Sequence, residues 1–452
     1  MFYIVQYKIE FKGMIAFLQN SGPSISETLL NNINSIHQFA RIDMGDKMIT
    51  IVKNVYYKPE EDIKISISIM SPFVVLIVQS FILYYFNAID TSTGVLVQLS
   101  SKVVVGLIYL YSLNVVLRRR SKLFILAYSV SIVIFSLNYL YFRQNAIFLN
   151  DILFQFFFVC LPSFIYSSSV KSLEILNDVV EKVSFLVFIV GMIIGLLVLT
   201  RNITIGTYNM SLGYYMLLPA VIYLNKFFGT VSIKYLFLAI LSIFIILAIG
   251  SRGPIMSIGI YIIINQIINF KKITIKNLLF TLSISILAIL GILYLEQIFI
   301  VLINIMDDYG ISSRSISLFM QEEVYLSGRE AIYEEILYQI KLHPITGIGI
   351  AGDRLYTGTY SHNIILEIIS GFGVVVGSMI IIVLTTIITK LMFSKDIEGL
   401  NKILIWLIVG IVPMFVSGSY LTRFQFWIFL GLAVRFLRGI KYSNKKVRVN
   451  IV

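Results

Sequence analysis

Met306-Asp307-Asp308-Tyr309-Gly310 opens a polar stretch of about fifty residues that runs through Arg314, Ser327-Gly328-Arg329-Glu330, His343-Pro344, Gly347-Ile348-Gly349 and Asp353-Arg354 to Ser361-His362-Asn363. It then passes at once into a membrane-length apolar run that begins Ile364-Ile365-Leu366-Glu367 and carries Gly371, Gly373 and Gly377. No other polar stretch of this size occurs after the N-terminal region. A chain with one large polar loop set among apolar runs reads as a polytopic membrane protein that works at one membrane face.

The composition agrees. Of 452 residues 58% are hydrophobic and only 13% are charged, against about 25% charged in soluble domains. Twelve apolar runs are expected as transmembrane helices, at 66–88, 94–117, 123–142, 146–167, 183–200, 210–225, 235–250, 254–270, 278–300, 362–389, 403–420 and 424–440. A single cysteine, Cys160, excludes an internal disulfide and a multi-cysteine metal site. The net charge of +12 fits basic cytoplasmic loops better than nucleic-acid binding.

This reading divides the chain into an N-terminal cytoplasmic extension (1–65), helices 1–9 (66–304), a large extracytoplasmic loop (305–361), helices 10–12 (362–440) and a basic cytoplasmic tail (441–452). A start at Met70 is an alternative to the extension. With both termini cytoplasmic, the inner loops and tail collect 20 lysines and arginines and the outer loops 8, the bias that cytoplasmic loops show. Inside, lysines outnumber arginines 14 to 6; outside, seven of eight are arginine. The planar guanidinium fork matches phosphate oxygens two at a time, whereas an ammonium is a hydrated point charge. The outer set is Arg143, Arg201, Arg252, Arg314, Arg329, Lys341, Arg354 and Arg423. It points to an anionic ligand on that face; contact with lipid headgroups is the alternative. Asp151, Glu296 and Glu367 fall near the outer ends of their runs, where they would border a polar chamber or simply meet interfacial water.

Two local patterns sharpen this. Ser251-Arg252-Gly253-Pro254 is a short outer turn, with Pro254 suited to a first helical turn and Gly253 permitting close approach. It holds Arg252 at the membrane surface, for a ligand or as a snorkelling residue. Ser327-x-x-Glu330 reads as a capping box ahead of an amphipathic helix over 328–342, with Ile332, Ile336, Leu337 and Ile340 on its apolar face and His343-Pro344 as its stop. Arg329 then lies in a first turn, where free N–H groups and a cation make a phosphate site. Pairing of Arg329 with a nearby acid is the alternative. Gly347-x-Gly349 fits no nucleotide-binding pattern. Asp307-Asp308 is a weak metal pair, and no metal is expected.

Together these pieces resemble the O-antigen ligase and Wzy-type oligosaccharide repeat-unit polymerase superfamily. The resemblance rests on Ser251-Arg252-Gly253-Pro254, Gly328-Arg329 opening a helix, His343-Pro344 with Gly347-x-Gly349 closing it, and His362-Asn363 followed by Leu366-Glu367 and paired glycines. It covers roughly 205–380 and implies an all-α polytopic fold related to the C-type glycosyltransferases. It also implies transfer of a glycan from undecaprenyl diphosphate to a sugar hydroxyl, without a cofactor, at the outer face of the cytoplasmic membrane. The product would be O-antigen, capsule or exopolysaccharide. On this reading Arg252 and Arg329 stabilise the charge that develops on the leaving diphosphate, and His362 engages the acceptor or the reacting centre. Arg201, Arg314, Arg354, Asn363 and Glu367 are the substrate-binding candidates. Lipid-linked oligosaccharide and membrane lipids are the implied partners, with flippase and chain-length regulator proteins beside them and no nucleic acid. Ligases with this pattern show Gly-x-x-Gly nine residues after His-Asn. Here Gly373 is followed by Gly377, one position late, which favours polymerase over ligase. A lipid-linked oligosaccharide flippase or transporter is the alternative of another class.

Overall fold

The computed structural model describes residues 40–44, 47–51, 58–89, 91–199, 210–249, 252–269, 300–301, 304 and 329–449. The chain forms two compact units, 1–59 and 60–452. In the first, β1 (Ala40–Met44) pairs antiparallel with β2 (Lys47–Ile51), Ala40 opposite Ile51. This ribbon is the one departure from an all-helical chain among the described residues.

The second unit is helical. Its elements are α1 (Pro59–Tyr85), α2 (Ser92–Tyr141), α3 (Ala146–Gln155), α4 (Leu161–Ser169), α5 (Leu173–Leu199), α6 (Met210–Thr230), α7 (Ile233–Ile249), α8 (Arg252–Asn269), α9 (Arg329–Leu342), α10 (Gly352–Thr357), α11 (Ile364–Met392), α12 (Ile397–Gly410) and α13 (Phe424–Val449). Polar caps open several of them: Thr91 Oγ1 accepts from Gly94 N at 3.0 Å, and Asp396 Oδ1 from Gly399 N at 2.9 Å. Such caps satisfy amide groups that the helix itself leaves orphaned.

Helices form on eleven of the twelve apolar runs; 278–300 lies almost wholly outside the described residues. The first helix begins at Pro59 rather than 66, and its early residues belong to the body. Ile65 and Ile69 are fully buried, and Asp62 pairs with Arg119. Among the described residues six helical stretches are long and apolar enough to cross a membrane, fewer than the expected twelve, with α7 and α8 as shorter apolar helices. Part of the shortfall is that α2 holds two runs. A straight helix of its 50 residues would be about 75 Å long, against about 30 Å of bilayer core.

The backbone of α2 leaves helical geometry at Arg120 (φ −145°, ψ 37°). Tyr109 and Tyr128 flank that break and would lie about 28 Å apart on a straight helix. Yet Tyr109 Oη bonds Ser163 Oγ, and Tyr128 Oη donates to the Phe157 carbonyl only six residues earlier. The halves of α2 therefore double back at Arg120, within the basic stretch 118–122, as two separate runs require.

The core packs α13 along α4 and α12, α12 on α8, α8 on α6, and α6 on α5 and α7. Phe73, Trp406 and Phe424 meet edge-on within it. One end of α11, α12 and α13 carries the polar residues described next.

Candidate functional site

The large loop is anchored by glycines and two asparagines. α9 ends at Leu342 beside exposed His343, as expected for a stop before Pro344. Its buried face includes Ile336 and Gln339, while Leu337, expected on that face, is 48% exposed. Gly347, Gly349 and Gly373 all have positive φ (66°, 81° and 77°). Ile348 N donates to the Ser370 carbonyl and Val374 N to the Pro344 carbonyl, both at 2.7 Å. The loop thus docks into the break that Gly373 makes in α11. On its other side, Asn138 Oδ1 accepts from Ile350 N at 2.7 Å, and Asn145 Nδ2 donates to the Ile348 carbonyl at 2.9 Å.

A Cβ on Gly373 would lie 2.1 Å from the Ile345 carbonyl oxygen, whereas one on Gly371 would be in ordinary contact at 3.5 Å. Gly373→Ala is therefore expected to destabilise the protein by more than about 1 kcal/mol, and Gly371→Ala to have a much smaller effect. Melting temperatures of the two variants in detergent check this; equal values would remove the docking role of Gly373.

Docking of the loop sets the segment 353–363. The guanidinium of Arg354 bonds Asp353 Oδ1 at 2.8 Å and Ser419 Oγ at 3.1 Å, and lies 3.6 Å from Glu367 Oε1. Ser419 Oγ donates to the same Glu367 oxygen, and Tyr420 N donates to Glu367 Oε2 at 3.2 Å. Both carboxylates are buried, so Arg354, a substrate-binding candidate from sequence, is committed to internal partners, as is Glu367. Removing one member of such a buried cluster strands the others' charges, which typically costs about 3–5 kcal/mol. Asn363 is a helix cap, its Oδ1 accepting from Ile365 N at 2.9 Å.

His362 lies between these anchors with φ 53°, a left-handed conformation that costs a non-glycine residue about 1–3 kcal/mol and persists only where its surroundings over-determine it. Here Asp353 Oδ2 accepts from Ser361 N at 2.8 Å on one side, and Asn363 caps α11 on the other. The imidazole packs on Tyr360 with ring centroids 4.1 Å apart. Its Nδ1 is buried and has no hydrogen-bond partner among the described residues. Burial first, then the positive charges of Arg329 and Arg354, push its pKa down to about 4. Arg329, the first residue of α9, is therefore close enough to act on His362 electrostatically.

His362 opens onto a cavity of about 420 Å³ lined also by Tyr214, Tyr215, Gln155, Tyr360, Ser417 and Arg423. Arg252 is the first residue of α8, and a Cβ on the next residue, Gly253, would fall 2.1 Å from the Tyr214 hydroxyl. Gly253 thus permits the close approach expected of it and sets the start of α8 against the cavity wall. Arg201, Arg314, Glu296 and Asp307-Asp308 lie outside the described residues. Asp151 is exposed on α3. No three-residue cluster of metal-ligating side chains occurs among the described residues.

Sequence reasoning counted Arg423 among the outer arginines but did not single it out. Its guanidinium sits 4.4 Å from the centroid of the Tyr214 ring, and Nη2 donates to the Val409 carbonyl at 3.4 Å. Nε is buried without a partner, and no ion pair among the described residues includes Arg423. A desolvated cation–π contact contributes about 2 kcal/mol, less than the several kcal/mol that removing an ion from water costs. The available sequence signal was an arginine isolated between two apolar runs, 403–420 and 424–440, the same setting as Arg252.

A helical body with six membrane-length stretches among the described residues, and a cavity lined by His362 and Arg423, are those of a multi-pass membrane protein with one polar site. Residues 237–381, from α7 into α11, match the family model described as O-antigen ligase, which supports a relation of this part of the chain to the O-antigen ligase and Wzy-type superfamily. No curated protein and no solved structure matches the chain.

Proposed function

We propose that the chain is a polymerase of undecaprenyl-diphosphate-linked oligosaccharide repeat units, acting at the outer face of the cytoplasmic membrane. The observation that carries this reading is the neutral, left-handed His362 opening onto a cavity beside cationic side chains. Glycosyl transfer from a diphosphate carrier needs two things at one place. Negative charge develops on the departing diphosphate and must be stabilised by fixed donors. The attacking sugar hydroxyl must lose a proton.

Arg252 and Arg329 are assigned to the first task, as the opening residues of α8 and α9. His362 is assigned to the second. In the resting site its pKa of about 4 makes it a weak base. An anionic donor bound beside the arginines would offset their charge, the smaller cause after burial, so that His362 is a stronger base with donor in place than without it. Arg201 and Arg314 are assigned to substrate binding from the sequence alone. The spacing of Gly373 and Gly377, one position off the ligase pattern, favours polymerase over ligase.

Deleting the gene and resolving the surface glycan on a gel tests this function. Single repeat units are expected. Long chains stranded on carrier lipid would instead mark a ligase.

The proposal also requires the loop 305–361 to be extracytoplasmic, as the distribution of basic residues implies. Ile345 is 75% exposed on this loop. Gly358 is exposed too, but its φ of 71° makes a side chain there strained. Cysteine at position 345, in a background where buried Cys160 is alanine, is expected to react with an impermeant thiol reagent in intact or outer-membrane-permeabilised cells. Labelling only after the cytoplasmic membrane is opened would invert the topology.

A further inference from the structure

We propose that Arg423 is the cavity's own anion-binding residue and meets the diphosphate of the donor, with the hydroxyls of Tyr360 and Ser417 as neutral donors beside it. The assignment rests on reading the site as one that takes a diphosphate-linked lipid. Three observations carry it. First, Arg354, another cation in this region, is ion-paired with Asp353 and Glu367, whereas Arg423 has no such partner among the described residues and keeps a buried Nε unsatisfied. A desolvated guanidinium with open donors is held for an anion that arrives.

Second, the residue is built into place. Arg423 N donates to the Ser419 carbonyl at 3.0 Å, and Gln155 Nε2 of α3 donates to the neighbouring Thr422 carbonyl at 3.2 Å. Gly418, at φ 124°, lets the chain pass close to the guanidinium; a Cβ there would lie 3.2 Å from Nη1. The Tyr214 ring supports one face of the fork. Third, Arg423 shares its cavity with His362, and Tyr360 touches both Ser417 (hydroxyl oxygens 3.5 Å apart) and the imidazole. An anion on Arg423 is thereby placed beside the proposed base. Arg423 and Ser417 lie outside the matched family segment 237–381, so the C-terminal helices complete a site that the segment alone does not contain.

The test measures binding of farnesyl diphosphate and of inorganic pyrophosphate to the purified full-length protein in detergent, with melting temperature as the fold control. Wild type is expected to bind farnesyl diphosphate, and R423Q to weaken it by about ten- to hundredfold. R423K should fall between them, because it keeps the charge but loses the fork; it also serves where R423Q does not accumulate. Loss of pyrophosphate binding in R423Q, with the farnesyl chain adding nothing in wild type, supports the anion site while counting against a lipid carrier. Equal affinities in wild type and R423Q, or no binding of either probe to wild type, overturn the proposal.

Discussion

His362→Ala is expected to abolish polymer at a normal level of protein, whereas His343→Ala leaves it intact. The two histidines occur in the same loop and differ in every physical respect. His343 is exposed beyond the end of α9. His362 is held in a strained backbone conformation, packed against Tyr360, with a buried Nδ1 that has no partner among the described residues. His362→Gln refines the test, since glutamine forms hydrogen bonds but takes no proton near neutral pH. Loss of polymer with retained protein supports a base; wild-type polymer from His362→Gln would leave only a positioning role. A stability measurement accompanies it. The imidazole titrates at about 4 in the folded chain and near its ordinary 6.5 in the unfolded one, so between those values the unfolded state binds the extra proton. The contribution of His362 to stability is therefore complete above about pH 6.5 and is lost as pH falls toward 4. Melting temperatures across that window should fall less steeply in His362→Gln than in wild type.

Arg252→Lys and Arg329→Lys are each expected to lose most of the activity, by at least about tenfold, because a lysine keeps the charge but not the two-pronged geometry that matches a diphosphate. Each residue opens a helix, where the free N–H groups also favour an anion. Burial first, and then the charges of Arg329 and Arg354, hold His362 neutral, so replacement of Arg329 by glutamine should move the histidine's titration up from about 4 by part of that shift. With only three histidines in the chain, that titration is accessible to histidine-selective NMR. Full polymer from both lysine variants would make the diphosphate role of Arg252 and Arg329 untenable.

The sequence carried the helical body well because apolar runs of membrane length leave few other structures open to a chain. It also carried the position of α9, through Pro344 and the spacing of Ile332, Ile336 and Ile340. What it could not carry were contacts between residues far apart in the chain. Arg354 stands beside Asp353 in the sequence, and Arg423 has no acid near it. Only folding shows that Glu367 also pairs with Arg354 and Ser419 hydrogen-bonds it, while Arg423 is left on Tyr214 from a helix two hundred residues earlier. Glu367 bonds Ser419 and Tyr420, and nothing local announced those partners. Gly373 showed the same limit. In sequence it is one of the glycines of an apolar run, and its actual use is to break α11 so that the 344–349 loop can dock. The first helix began early because Glu60, Glu61 and Asp62 stabilise a helix N-terminus, which a hydropathy reading discards as polar.

The central claim is that one protein joins repeat units carried on diphosphate lipid. Its most direct test incubates the purified protein with a single lipid-linked repeat unit as both donor and acceptor, and resolves the products by length. A ladder of multimers that is absent with His362→Ala is the predicted result. Unchanged monomer, from protein that transfers finished glycan to a different acceptor or moves the lipid across vesicles without joining it, would contradict the account.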